Sequence, residues 1–322
     1  MIPYSRQSIN NKDIAQVKKV LKSDFITQGK NIKKFEDSVC KLVRCSYGVA
    51  VNSATSALHI ACLALDLKKG DNLWTVANSF VASANCGRYC EANIDFIDIN
   101  KDTLNIDIKI LSNKLSKTPK KKLPKIIVVV HFAGEPAEML KLYSLSKKYK
   151  FKIIEDASHA LGSKIKNDFI GSCKYSDIAV FSFHPVKPIT TAEGGMAMTN
   201  NRSLAVKMQI LRNHGITRDF KTFKKKIKGY WYYEQQALGF NYRMNDIEAS
   251  LGLSQLKRLK IFIKKRQAVA RRYIKTLKDL PVTFQKTEPK NFSSYHLFVI
   301  CINFKKIKKK YNLLFEYLRR KK

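Results

Sequence analysis

KIIVVVHF (125–132), PAEMLKLYSLSKKYK (136–150) and FKIIE (151–155) decide the fold. An apolar run of strand length, a stretch of helical period and a second β-branched run make a βαβ unit, whose two strands lie parallel. Upstream the same alternation repeats: YGVAV (47–51) leads into SATSALHIACLALDL (53–67), NLWTV (72–76) into SFVASANCGRY (79–89), and NIDFIDI (93–99) follows. Downstream, DIAVFSF (177–183) supplies one more strand. The expected class is α/β, a mostly parallel sheet flanked by helices. From residue 244 the texture changes to one long helix (244–277), a β-like stretch SSYHLFVICI (293–302) and a last helix. This predicts a large domain over 1–243 and a smaller α/β domain over 244–322, joined by the long helix.

The 322 residues suffice for two domains, and 45% hydrophobic with 27% charged residues describes a folded chain, not a disordered one. No stretch nears the roughly 20 apolar residues of a membrane span, and the opening MIPYSRQSIN lacks a signal-peptide pattern. Seven scattered cysteines without CxxC spacing frame neither a disulfide scaffold nor a zinc site, so a reducing, cytoplasmic location and no metal are expected. The net charge of +36 invites a polyanion partner. Yet Lys outnumbers Arg 48 to 13, and the runs KTPKKKLPK (117–125), FKTFKKKIKG (220–229) and FKKIKKKY (304–311) lie between or beyond apolar segments. That is the pattern of solvated loops and helix faces, so neither a specific nucleic acid nor a membrane is the expected partner; a dianionic small molecule remains compatible.

Chemistry in such a sheet belongs at the carboxyl ends of the strands. After YGVAV, Asn52-Ser53-Ala54-Thr55-Ser56 reads either as an N-cap or as a phosphate site at a helix start. After FKIIE, Asp156-Ala157-Ser158-His159 places a carboxylate and an imidazole on one turn. That pair suits acid–base work, a metal, the tuning of a cofactor ring nitrogen, or a structural hydrogen bond. After DIAVFSF, Lys187 stands between Pro185 and Pro188, and because it precedes a proline its backbone is driven out of the helical region. A lysine so fixed among phosphate-capable loops meets the need of an imine to an aldehyde cofactor; an ordinary surface lysine is the plain alternative.

Taken together, NSATSAL (52–58), NSFVASAN (78–85), HFAG (131–134), EDASHALGS (155–163), FSFHPVKPITTAEGG (181–195), LRNHG (211–215) and GFNYRMNDIEASLGLSQL (239–256) resemble the sugar aminotransferases of the DegT/DnrJ/EryC/StrS type over nearly the whole chain. These are fold-type I enzymes that use pyridoxal 5'-phosphate to aminate nucleotide-linked keto-sugars. The opening IPYSRQSI with SDFITQG (23–29) is most similar to the branch acting in pseudaminic acid biosynthesis. The resemblance implies that Lys187 forms the Schiff base and then moves the proton, that Asp156 faces the pyridine nitrogen, and that His159 lies near the phenolic oxygen. It implies Phe80 stacked on the ring, and Ala54 (backbone N–H), Thr55 and Ser182 on the phosphate. Asn241 is implied at the phosphate of a neighbouring subunit, within an obligate homodimer of shared sites. Tyr242, Arg243 and Met244 belong to the same segment with their roles open. The implied substrates are L-glutamate and a UDP-linked 4-keto-6-deoxy-N-acetylhexosamine aminated at C4, in two half-reactions.

The resemblance also implies several tens of residues beyond Lys322, including a His-Tyr-x-Pro segment, so that the small domain is expected to be incomplete and SSYHLFVICI to lack neighbours. Relatives making perosamine, legionaminic or bacillosamine precursors share the same cofactor residues. An inactive remnant is the further alternative, and a polyanion binder on the same scaffold a third.

Overall fold

The computed structural model describes residues 5–224, 229, 231–307 and 310–321; part of the opening IPYSRQSI and of two lysine runs lies outside them. Two helices that the sequence reading did not single out, α1 (Asn11–Leu21) and α2 (Lys30–Val43), precede β1 (Tyr47–Val51) and α3 (Ala54–Ala64). Then come β2 (Asn72–Val76), α4 (Ala82–Tyr89), β3 (Asn93–Ile97), α5 (Ile108–Lys117), β4 (Ile126–Val130), α6 (Met139–Tyr149) and β5 (Lys152–Asp156). The remaining strands of the central sheet are β6 (Ile178–Ser182) and β7 (Gly195–Thr199), and the later long helices are α7 (Arg202–Leu211), α8 (Asp246–Leu256), α9 (Leu259–Leu277) and α10 (Tyr311–Arg320). No helix among the described residues is long and apolar enough to cross a membrane.

The sheet runs β1-β7-β6-β5-β4-β2-β3. From β6 through β3 every pairing is parallel, whereas β7 is antiparallel to both β6 and β1. Two reversals cancel, so β1 points the same way as β4, β5 and β6, and all four deliver their following loops to one edge of the sheet. Ile126–Val130 is buried at every position, as expected of a strand covered on both faces, while the edge strand β3 is fully buried only at Ile97 and carries the Lys114–Asp95 ion pair beside it. Helices α3 and α4 pack on one face; α2, α5 and α6 pack on the other.

Two expectations for the C-terminal half need correction. The helix foreseen over 244–277 is broken at Lys257–Arg258. Both residues keep near-helical dihedrals, but Arg258 N–H bonds the carbonyl of Gln255 (2.9 Å) in a tighter turn, and its guanidinium reaches the carboxylate of Asp13 and the carbonyl of Ser8 (2.8 Å). The stretch 293–302 is a strand only over Ile300–Ile302, paired with Val282–Phe284. Residues 293–297 instead bond to the loops of the large sheet: Ser294 N–H donates to Ser163 Oγ (3.0 Å), Ser294 Oγ to the carbonyl of His159 (2.9 Å), and Leu297 N–H to the carbonyl of Ala133 (3.2 Å). A second tie is the pairing of Asn291–Phe292 with Lys164–Ile165.

Helix α8 lies on α1 and α2, and the joint is polar at its centre. Asp13, wholly buried, accepts from Ser254 Oγ (2.6 Å), Gln255 Nε2 (2.8 Å) and Arg258. Asp246, at the start of α8, accepts from Gly29 N–H (2.5 Å) and Asn31 N–H (2.9 Å) and so caps α2 in place of a side chain from Gly29. Removing the carboxylate of Asp13 strands a largely buried guanidinium and two further donors. Asp13→Ala is therefore expected to cost about 3 kcal/mol or more, read as a lowered urea midpoint, with Asp37→Ala on the exposed face of α2 changing little.

Candidate active site

The row of backbone across the sheet edge begins at the last residue of β6. Ser182 lies opposite Gly195, and Gly195 lies opposite Val51, so the start of β7 separates the ends of β6 and β1. A Cβ on Gly195 would fall 2.5 Å from the amide nitrogen of Ala54 and from the carbonyl of Ser53. Only glycine lets the first turn of α3 come this close to Ser182. At that turn Ser53 is the N-cap, its Oγ accepting from Ser56 N–H (3.1 Å), which leaves the amides of Ala54 and Thr55 outside the cap. Ser182 Oγ accepts a long bond from His184 N–H (3.4 Å), which leaves its own proton to donate. Two amides, the Ser182 hydroxyl and a helix N-terminus thus converge, a donor set suited to an anion such as a phosphate.

One strand over, Asp156 ends β5, level with Val180 of β6. It is 5% exposed, and Ser83 Oγ donates to its Oδ2 (2.6 Å) while Ser158 N–H donates to Oδ1 (3.2 Å). Ser83 in turn touches Ser79 Oγ (2.8 Å), so the carboxylate is tied to the loop that carries Phe80. Phe80 is 72% exposed: a ring with an uncovered face, on the loop that reaches the carboxylate. Ser83 was not singled out in the sequence; its place three residues after Phe80, on the first turn of a helix, was the available signal.

His159 Nδ1 accepts from the backbone N–H of Ala133 (3.2 Å), which puts the proton of the neutral imidazole on Nε2, free to donate. Ala133 holds a left-handed conformation (φ 59°) to aim that amide. Its loop is fixed from below by His131, whose Nδ1 accepts from Ala137 N–H (3.0 Å) and whose Nε2 faces Glu155 Oε2 (2.9 Å). Burial, then the charge of Lys187, push His159 down to about 4, with Asp156 opposing. Lys187 itself follows a turn closed by its N–H on the carbonyl of His184 (2.9 Å). Burial lowers its amine below the ordinary lysine range, and the carboxylate of Asp156 partly offsets this. An amine so placed gives up its proton more readily than a surface ammonium, as a nucleophile or base must.

Asn241 sits apart from this group. Its segment runs along the outer side of β1, where Asn52 N–H donates to the carbonyl of Tyr242 (2.9 Å) and Arg243 bridges to Val51, and Asn241 is exposed. Tyr242 turns its hydroxyl to His59 Nδ1 (3.2 Å), and Met244 is buried. Among the described residues no cluster of metal-ligating side chains forms, and the Asp156–His159 turn gains no third ligand.

An amine, a buried carboxylate, an imidazole donor and an anion cradle at one sheet edge fit the four parts of pyridoxal phosphate: aldehyde, ring nitrogen, phenolic oxygen and phosphate. The fit rests on the space that Gly195 keeps clear between Ser182 and Ala54.

The sequence profile of the DegT/DnrJ/EryC1/StrS aminotransferase family matches residues 7–322. The chain is 40% identical over 304 residues to the UDP-4-amino-4,6-dideoxy-N-acetyl-beta-L-altrosamine transaminase of Campylobacter jejuni, covering 94% of this chain and 77% of that protein. Among solved structures, Helicobacter pylori PseC, an aminotransferase involved in the biosynthesis of pseudoaminic acid, superposes with a TM-score of 0.88 at 34% identity, over 99% of this chain and 82% of that one. Spr1654 of Streptococcus pneumoniae in its PLP form superposes with a TM-score of 0.84 at 29% identity, over 94% and 78% of the two chains. The profile match runs to Lys322, and the chain spans 77–82% of the length of these relatives.

The depressed basicity of His159 has a measurable consequence. Between about 6.5, its ordinary value, and about 4, the unfolded chain takes up a proton that the folded chain refuses. Stability should therefore fall as pH drops through that window, by at most about 1.4 kcal/mol per unit for this group. His159→Gln should flatten the slope by close to one proton, seen in urea midpoints compared at pH 7 and pH 5.

Proposed function

The chain belongs to the DegT/DnrJ/EryC1/StrS aminotransferase family, whose members depend on pyridoxal phosphate, and on that premise we propose that it transfers the amino group of L-glutamate to C4 of a UDP-linked 4-keto-6-deoxy-N-acetylhexosamine. The choice of sugar is supported by the 40% identity to the altrosamine transaminase. The reaction itself is carried by one observation: Lys187, with its amine made less basic by burial, shares the sheet edge with the buried carboxylate of Asp156.

Pyridoxal phosphate supplies the carbonyl that exchanges amino groups and the electron sink for the carbon that loses its proton. Lys187 would hold it and, once released by the donor, carry the proton at Nζ away from the reacting carbon and back. Asp156, oriented by Ser83 and Ser158, would hold a proton on the ring nitrogen. His159 would donate Nε2–H to the phenolic oxygen, and Phe80 would cover a ring face and exclude water. Ala54, Thr55 and Ser182 would bind the phosphate. Asn241, exposed on the outer side of β1, would reach the phosphate of a second copy in a homodimer. All seven cysteines are free thiols, which supports a reducing, cytoplasmic setting.

The purified protein with pyridoxal phosphate should show a visible absorbance band that L-glutamate removes and that the UDP-linked keto-sugar then restores; Lys187→Ala should show none. A band indifferent to L-glutamate but removed by another amino acid would overturn the donor. The shared site has its own test. Inactive Lys187→Ala and weakened Asn241→Ala proteins, unfolded together and refolded as mixed dimers, should regain about a quarter of wild-type activity, because half of the dimers then carry one intact site. If Asn241 serves its own subunit, mixing regains nothing.

A further inference from the structure

His296 is 4% exposed, and neither of its ring nitrogens has a hydrogen-bond partner among the described residues. A buried imidazole left in this state costs on the order of 1–3 kcal/mol, so its position calls for a partner that the described residues do not provide. Its setting is built, not incidental. The ring lies 4.4 Å from that of His159, centroid to centroid, and His296 lines the same cleft of about 730 Å³ as Lys187, together with Phe262, Arg266, Tyr273 and Tyr295. Arg266 Nη1 donates to its carbonyl (2.8 Å), and Ser294 and Leu297 on either side are bonded to the loops of His159 and Ala133. Tyr295 takes a left-handed conformation (φ 46°) beside it. A Cβ on Gly134 would meet Ser294 Oγ at 2.5 Å and the amide nitrogen of His296 at 3.1 Å, so this segment reaches the site only because residue 134 has no side chain.

We infer that His296 is a reactant-binding residue: its imidazole hydrogen-bonds an oxygen of the molecule brought to Lys187, a carboxylate oxygen of the amino donor or a hydroxyl of the sugar. Burial first, then the charges of His159, Lys187 and Arg266, hold the ring well below the ordinary histidine range, so it is neutral and presents one donor and one acceptor. That pair of capacities suits a site that must receive a carboxylate in one half-reaction and hydroxyls in the other. The assignment rests on the proposed reaction, and it uses none of the groups given to the cofactor.

The test separates the two oxygens by binding alone. In the Lys187→Ala background, which cannot turn over, calorimetry with 2-oxoglutarate and with the UDP-linked amino-sugar gives two dissociation constants. Adding His296→Phe should weaken at least one of them about tenfold, the loss of one hydrogen bond, and His296→Gln should recover most of it, while pyridoxal phosphate affinity stays within about threefold. Loss for 2-oxoglutarate alone identifies the carboxylate; loss for the sugar alone identifies a hydroxyl. Should the Phe variant fail to fold, the imidazole ¹⁵N shifts of His296 in the unsubstituted ring report the same contact, and shifts that neither compound moves would overturn the assignment. Binding that His296→Phe leaves unchanged overturns it too, with the proposed reaction intact. Failure of the Lys187→Ala protein to bind either compound would bring down the proposed substrates, and this assignment with them.

Discussion

Everything at the carboxyl edge of the sheet depends on the absence of a side chain at Gly195. Because that residue lies between Ser182 and Val51, it sets how near the first turn of α3 approaches the end of β6. A single methyl group there would stand 2.5 Å from the Ala54 amide nitrogen and force the turn away. The antiparallel strand that Gly195 begins has a second effect: by reversing direction twice it returns β1 to the sense of β4, β5 and β6, so a loop from the sheet's edge strand joins three from its centre. The proposed cradle for phosphate and the proposed carboxylate for the ring nitrogen therefore sit on the same side by topology, before any side chain is chosen.

Behind that edge lies a second layer of fixed backbone. Glu155 holds His131, His131 holds the amide of Ala137, and the loop so closed presents the amide of Ala133 to His159. Each link leaves one tautomer of one imidazole, so the proton on His159 is directed by a chain of contacts that ends under the sheet. Such arrangements concentrate strain at a few residues; here it appears as the left-handed conformations of Ala133 and Tyr295, both neighbours of the imidazole pair.

Much of this was legible in the sequence, and the failures have physical causes. Strands β1 to β6 and helices α3, α4 and α6 follow from local period, because each is buried on a face that its own residues define. Asp156, His159, Ser182 and Lys187 were legible as strand-end residues, since a parallel sheet sends its chemistry to that end. Strand β7, GMAMT, was missed because it has neither alternation nor β-branched enrichment, its membership being decided by its neighbours. The break between α8 and α9 was hidden because the local pattern does not mark it, and the contact of Arg258 there is with Asp13, about 245 positions earlier in the chain. His296 was hidden in the same way: SSYHLFVICI has the composition of a strand, and only bonds from residues 133, 159 and 163 show that its first half is a loop of the site.

The tie between Gly134 and residues 293–297 also divides the labour of the molecule. The groups proposed to hold the cofactor hang from strands of the sheet, where a substitution disturbs the core. The proposed hold on the reactant hangs from an irregular segment tied to the sheet's loops by three hydrogen bonds and one two-residue pairing, and to α9 through Arg266 and Gln267. Its buried members, Ser293, Ser294 and His296, are tied to the fold beneath, whereas Tyr295 and residues 297–299 are only half-buried. A lineage built on this plan can reshape the cleft through those half-buried side chains while the strand ends proposed to carry the amino group stay as they are.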